Sequence, residues 1–314
     1  MKDRSLIFMG TPEFSVCSLK ALFRSGFNIK AVVTQPDKQR GRGKKVSFTP
    51  VKTAALELGL PVLQPAKMRD KKFIEELKRY EADLFVVVAF RILPGRILKI
   101  PSLGSINLHA SLLPDYRGAA PVNHALFNGE EHTGVTVFFL NTGSVDTGDI
   151  VSSKKIPVQQ DDNYGTLYKK LALSGAEILT KTVENIFLND YTVREQEKYS
   201  RKIAPKIGPD DLIIDWNMKA KDIYNKIRGL APKPGAYSIL NNKRIKILSA
   251  CYSNDRHSLK PGTVEKADRK NGIIKIAAGD GFVFLKSIQP ESKPVISVKD
   301  FLNGNRIEKG SVLK

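Results

Sequence analysis

Residues 6–34 read LIFMGTPEFSVCSLKALFRSGFNIKAVVT, and this stretch decides the fold. Leu6–Met9 is a short apolar run of strand length. Pro12–Phe23 follows with apolar residues at helical spacing and a proline suited to a first helical turn. Ile29–Thr34 returns to the β-branched, apolar character of a strand. Strand, helix and strand in succession predict a βαβ unit. The same alternation continues downstream: Leu84–Ala89, Ser105–Leu108 and Gly134–Leu140 read as strands. Pro50–Leu58, Lys71–Arg79, Pro94–Leu98 and Pro121–Phe127 read as helices between them. The expected class is α/β, with a Rossmann-like, mostly parallel sheet. Ligands of such sheets sit in the crevice beyond the carboxyl ends of the strands. The first turn, Gly10-Thr11-Pro12-Glu13, lacks the G-x-G-x-x-G spacing of a dinucleotide site. Gly41-Arg42-Gly43 does not supply it, because that segment does not join a strand directly to a helix.

Further along, Asn163–Leu188 has helical periodicity, and Asn189–Asp211 is polar with Pro205, Gly208 and Pro209. The expected division is a first domain over residues 1–190, a linker over 191–211 and a second domain over 212–314. The second begins with a helix, Ala220–Arg228. Five short strand-like runs follow: Gly235–Leu240, Arg244–Ala250, Gly262–Val264, Gly272–Ala277 and Gly281–Ser287. That pattern predicts a small β-barrel, with the OB-fold the natural candidate.

The formal net charge is +19, and it is unevenly spread. Residues 206–314 hold 21 Lys and Arg against 11 Asp and Glu, so the smaller domain is the more basic one per residue. A second cluster, Lys38, Arg40, Arg42, Lys44 and Lys45, lies in a glycine-interrupted loop. A solvated loop is the usual fate of such a run. With the whole chain basic, the loop and the barrel together read as a grip on a polyanion. The longest apolar run, Leu84–Phe90, is far shorter than the ~20 residues of a spanning helix, so no membrane segment is expected. Met1–Gly10 reads as a strand and not as a secretory leader. Cys17 and Cys251 fall in different expected domains and offer neither a disulfide framework nor a metal spacing, which suits a reducing, cytoplasmic setting.

Four histidines are present. His109 follows the strand Ser105–Leu108, and alternation puts it on the same face as Asn107. A carboxamide beside an imidazole can bind a carbonyl oxygen as it becomes an oxyanion. Asp146, in Asp146-Thr147-Gly148-Asp149, could hydrogen-bond that imidazole and hold one ring orientation. Taken singly, a strand-end histidine more often has a structural role, and an aspartate beside a glycine is more often a turn residue. No metal constellation emerges from so few and scattered histidines.

The run from Ser105 to Pro121, SINLHASLLPDYRGAAP, resembles the signature of 10-formyltetrahydrofolate-dependent formyltransferases, and Val145-Asp146-Thr147-Gly148-Asp149-Ile150 resembles the second motif of that family. The resemblance implies that Asn107, His109 and Asp146 form the catalytic group. It also implies that Ser111, Leu112, Leu113 and Pro114 contact the folate. Segments matching the tRNA-acting branch of the family extend nearly end to end. They include Phe8–Phe14, Gln35–Asp37, Gly41–Lys45, Gly165–Tyr168, Ile214–Trp216 and Ile227–Leu230. That branch joins a formyltransferase domain to an OB-like domain that helps bind tRNA. The implied donor is 10-formyltetrahydrofolate, and the implied acceptor is methionyl-initiator-tRNA. Arg40, Arg42, Lys44 and Lys45 become the expected tRNA contacts, in a loop expected to be disordered without tRNA. A monomer is expected. One departure stands out: Ala89-Phe90-Arg91-Ile92-Leu93-Pro94 is one residue shorter than the family's Ala-Tyr-Gly-x-Ile-Leu-Pro and lacks its glycine. Phe90 and Ile92 are still placed along the folate. Two rival readings share these motifs: a sugar-amine N-formyltransferase, and an RNA-binding protein on a degenerate formyltransferase scaffold. The first gives no reason for a charge of +19, and retention of all three polar residues argues against the second.

Overall fold

The structure is a computed structural model that describes residues 4–40, 45–197, 199 and 202–314. In chain order the elements begin with β1 Ser5–Gly10, α1 Glu13–Arg24, β2 Asn28–Val33, β3 Lys38–Arg40, β4 Lys45–Ser47, α2 Pro50–Glu57 and β5 Val62–Leu63. They continue with α3 Lys71–Arg79, β6 Leu84–Val88, α4 Gly95–Leu98, β7 Ser105–His109, β8 Arg117–Gly118 and α5 Pro121–Phe127. Next come β9 His132–Phe139, β10 Ile150–Pro157, α6 Tyr164–Leu188, β11 Ile203–Ala204 and α7 Ala220–Leu230. The last are β12 Ala236–Leu240, β13 Lys243–Ser253, β14 Val264–Asp268, β15 Ile273–Ala277, β16 Phe282–Pro290, β17 Ile296–Ser297 and α8 Val298–Gly304. The chain forms two compact units. One comprises Met1–Gly118, His132–Pro157 and Tyr168–Ile203; the other comprises Ala119–Glu131, Val158–Leu167 and Ala204–Lys314.

The first unit is built on a seven-stranded sheet in the order β10-β9-β7-β6-β1-β2-β5. The five strands from β7 to β5 are parallel, and β9 and β10 join antiparallel. The mostly parallel sheet expected from the sequence is present. Every residue of β1 and β6 is buried, as strands covered on both faces require. On one face Ile7, Met9, Phe85 and Val87 pack with Phe73, Ile74 and Leu77 of α3 and Ile97 of α4. The helices start where local chemistry satisfies their first free N–H groups. Asp70 accepts from Lys72 N at 2.9 Å, and Thr49 accepts from Lys52 N at 3.0 Å ahead of Pro50. Strand β10 was not expected. It is an edge strand, with Ser153, Lys154 and Lys155 exposed, so it lacks the apolar run that marks the inner strands.

The second unit carries an antiparallel sheet in the order β12-β13-β16-β15-β14, with β17 on β16. The segment Gly310–Lys314 pairs with both of its edges. Ile239 and Lys314 exchange two backbone hydrogen bonds of 2.8 and 3.0 Å, while Val264 N reaches Ser311 O at 2.8 Å and Leu313 N reaches Gly262 O at 2.9 Å. The sheet is thereby closed into the small barrel that the spacing of short strands suggested. Trp216, buried at 4%, donates its indole N–H to Ser238 Oγ, which donates to Lys314 O. Leu313 is buried in the same core as Trp216, Ile247 and Val283. Helix α5 packs on α7 inside this unit, where Asn123 Nδ2 donates to Gly229 O at 2.7 Å. A Cβ on Gly229 would meet the Phe127 ring at 2.6 Å, which explains a glycine in the last turn of α7.

Candidate active site

The last residues of β7 carry Asn107 and His109. Asn107 pairs with Val87 of β6 and Phe138 of β9, and His109 pairs with Thr136. Both side chains therefore leave the sheet on the face of Met9 and Val87, at its carboxyl edge. Asn107 is half-buried, and among the described residues nothing hydrogen-bonds its carboxamide. His109 is buried at 7%, with Nε2 2.9 Å from the carbonyl oxygen of Tyr116. A carbonyl can only accept, so Nε2 bears the hydrogen and Nδ1 faces the other way. Nδ1 lies 3.7 Å from Asp146 Oδ2, within ion-pair range but beyond hydrogen-bond length. His109 and Asp146 are thus brought together, nearly sealed from solvent at 8% and 10% side-chain exposure, while Asn107 lies two residues before His109 on the same face of β7.

Thr136 and Gln196, which the sequence reading did not single out, help hold this arrangement together with residues of the expected folate loop. Thr136, fully buried opposite His109, donates to Ser111 O at 2.7 Å and accepts from Leu113 N at 3.1 Å. It ties the loop after β7 to β9. Ser111 is itself fully buried, with its hydroxyl on Asp115 O at 2.6 Å. Leu113 packs with Phe138 and Ile150. Leu112 and Pro114 are half-buried, and the Leu113-Pro114 peptide is cis. Asp146 sits at φ +57, a left-handed conformation that aspartate tolerates better than most residues. Gly118 N donates to its Oδ2 at 3.0 Å. Gln196, only 6% exposed, donates from Nε2 to Asp146 O at 3.1 Å and to Gly148 O at 2.5 Å. Arg117 in turn donates to Gln196 Oε1 from Nε at 3.2 Å and from Nη2 at 2.8 Å. A Cβ at residue 148 would lie 1.6 Å from Phe139 O, so only glycine fits there.

The remaining expected site residues fall at two other places in the first unit. Phe90 and Ile92 follow β6, the neighbour of β7; Phe90 is half-buried and Ile92 is 78% exposed. Between them, Arg91 reaches Pro65 O at 2.8 Å and Ala66 O at 3.2 Å, and burial holds its guanidinium below the ordinary value. Arg40 and Lys45 are register partners in a short antiparallel ribbon of β3 and β4. Arg42 and Lys44 lie outside the described residues. The ribbon is anchored at its base. Lys52 Nζ meets Asp37 Oδ2 at 2.5 Å, and Gln64 Nε2 reaches Asp37 Oδ1 and Gln35 O, both at 2.9 Å. Hydrogen bonds from Lys52 and then Gln64 hold the Asp37 carboxyl below the usual carboxylate range. Phe48 completes the anchor beneath the Lys52 ammonium, 4.0 Å from ring centre to nitrogen.

Residues 3–183 match the family model described as formyl transferase, and residues 206–306 match the formyl transferase C-terminal domain. The chain belongs to the formyl transferase family and carries both of its domains. Among its relatives, the methionyl-tRNA formyltransferase of Syntrophus aciditrophicus is 42% identical over 314 residues, 100% of both chains. That of Thermodesulfovibrio yellowstonii is 44% identical over 306 residues, 97% of each. Among solved structures, the sugar 3N-formyl transferase WlaRD superimposes with a TM-score of 0.65 at 20% identity, covering 93% of this chain and 99% of that one. The N-formyltransferase of Helicobacter canadensis gives 0.64 at 23%, covering 91% and 99%. At such identities the likeness establishes a shared fold. No helix among the described residues is long and apolar enough to cross a membrane.

Proposed function

We propose that this chain transfers the formyl group of 10-formyltetrahydrofolate to the α-amino group of methionyl-initiator-tRNA. The observation that carries the reading is the end-to-end similarity, above 40% identity, to relatives bearing that activity in their name, in place of the fold-level likeness to sugar formyltransferases. The net charge of +19 supports a polyanionic acceptor over a small sugar nucleotide. The donor is a tetrahydrofolate derivative, and its ring has an apolar rest in the half-buried Phe90 and the exposed Ile92 beside the carboxyl edge of the sheet.

In the proposed reaction the neutral α-amine attacks the formyl carbon. A C–N bond forms and the carbonyl π electrons move to oxygen. The carboxamide of Asn107, unengaged among the described residues, and a protonated His109 stabilise that oxyanion. Nε2–H stays on Tyr116 O, which leaves Nδ1 as the nitrogen that faces the exchanging proton. Asp146 holds the imidazole in place and takes part in carrying the proton from the attacking amine. Collapse then breaks the bond from the formyl carbon to the folate nitrogen, which receives that proton. Arg40, Arg42, Lys44 and Lys45 grip the tRNA, and the reaction takes place in the cytoplasm. Ser111 and Leu113 shape the folate loop from within, while Leu112 and Pro114 present its outer surface.

The test is single-turnover formylation with labelled donor, offering methionyl-tRNA or amino-sugar nucleotides across a salt series. Transfer to tRNA that weakens steeply with salt is expected, and transfer only to sugar overturns the reading. Asn107→Ala and His109→Ala should each slow transfer by about 100- to 1,000-fold, corresponding to ~2.7–4 kcal/mol in the barrier.

A further inference from the structure

Gln196 has no place in the motifs that mark the site, yet its side chain makes four hydrogen bonds at the Asp146 loop. It comes 50 residues after Asp146 in the chain. Its carboxamide is used at both ends: Nε2 donates to the carbonyls of Asp146 and Gly148, and Oε1 accepts two hydrogens from Arg117. The orientation is forced, because a flipped amide would set oxygen against two carbonyls and NH2 against a guanidinium. Arg117 is next to Gly118, whose N–H holds Asp146 Oδ2. The side chain and the backbone of Asp146 are therefore fixed from one two-residue stretch, directly by Gly118 and through Gln196 by Arg117. A second tie lies just beyond, where Ile150 and Arg194 exchange two backbone hydrogen bonds of 2.8 Å each. Arg194 thus meets the first residue of β10 through a single antiparallel bridge, and Gln196, buried two residues on, is tied to the loop before that strand.

We infer that Gln196 is a positioning residue for the transfer reaction: with Arg117 behind it, it fixes the left-handed backbone at Asp146 and so sets the carboxylate's distance from His109. This rests on the formyl-transfer reading above. An aspartate at φ +57 has other conformations open to it once the two carbonyl contacts are lost. A shift of the carboxylate by even 1 Å from its place 3.7 Å from Nδ1 is expected to cost about 100-fold in rate.

The experiment measures kcat, both KM values and the melting transition for Gln196→Ala, Gln196→Glu and Asp146→Ala, and for the Asp146→Ala/Gln196→Ala pair. Gln196→Glu keeps the volume and the Arg117 contact but loses the donor. Both Gln196 variants should lower kcat about 10- to 100-fold, with each KM within about threefold of wild type. The double variant should be no slower than Asp146→Ala, because Gln196 works only through Asp146. An unchanged kcat in Gln196→Glu, or losses that multiply in the double variant, overturns the inference, even where the alanine variant is unstable. Absence of formyl transfer by the wild-type chain would instead overturn the underlying reading, so the two failures are distinct.

Discussion

The substitution Gly148→Ala puts the geometry of the Asp146 loop to a quantitative test. The added Cβ would lie 1.6 Å from the carbonyl oxygen of Phe139, where real Cβ atoms keep at least 3.0 Å. The loop must therefore move by about 1.4 Å, the difference between those distances, before the residue fits. Sliding along β9 does not relieve the clash, because Phe139 N is bonded to Asp149 O at 2.9 Å on the far side of the glycine. The displacement reaches Asp146 through two peptide units and opens its 3.0 Å contact with Gly118 N. A misplacement of this size is expected to lower kcat by about 100-fold, or ~2.7 kcal/mol in the barrier. The stability cost of overpacking, about 1–3 kcal/mol, is too small to unfold a domain of this size. Single-turnover formylation read beside a thermal melt separates the two effects. A variant that melts a few degrees lower but transfers within twofold of wild type refutes the argument that this loop sets the rate.

Two further outcomes follow from the same structure. Leu313→Ala empties a buried position on the segment that closes the barrel, and should destabilise the second unit by about 2–5 kcal/mol in urea titration. A loss under ~0.5 kcal/mol, the size expected of a surface change, contradicts closure by that segment. Asp37→Asn should loosen the base of the basic ribbon, measured by amide hydrogen exchange over residues 34–52. Because the folded Asp37 carboxyl titrates below its ordinary 3.8, its contribution is complete above that pH. The contribution is lost as pH falls through the lower folded value, so wild type and variant should converge there. A difference that persists in strong acid excludes the Asp37 charge as its source.

The central sheet was legible because β1 and β6 are buried on both faces and must be apolar throughout, which leaves continuous runs in the sequence. Strand β10 was not, because an edge strand with an exposed face is free to be Ser- and Lys-rich. The pairing of Asn107 with His109 followed from strand alternation alone. The approach of Asp146 to His109 did not, and rested on resemblance until the loops were placed. Leu313, Thr136 and Gln196 carry no local signal: a leucine, a threonine and a glutamine acquire roles only through partners 23 or more residues away. Likewise, nothing local marks Ala119–Glu131 as part of the second unit, where Asn123 meets Gly229.

By itself, the sequence determined the alternation of elements, the pair of polar side chains on one face at the end of β7 and the charge that suits a polyanion, since each depends on residue type and short-range spacing. Only the tertiary structure decided which way the His109 ring points, what holds Asp146 in a left-handed turn and how the barrel closes. Those depend on directed hydrogen bonds and close backbone approaches between segments remote in the chain, and no periodicity records them.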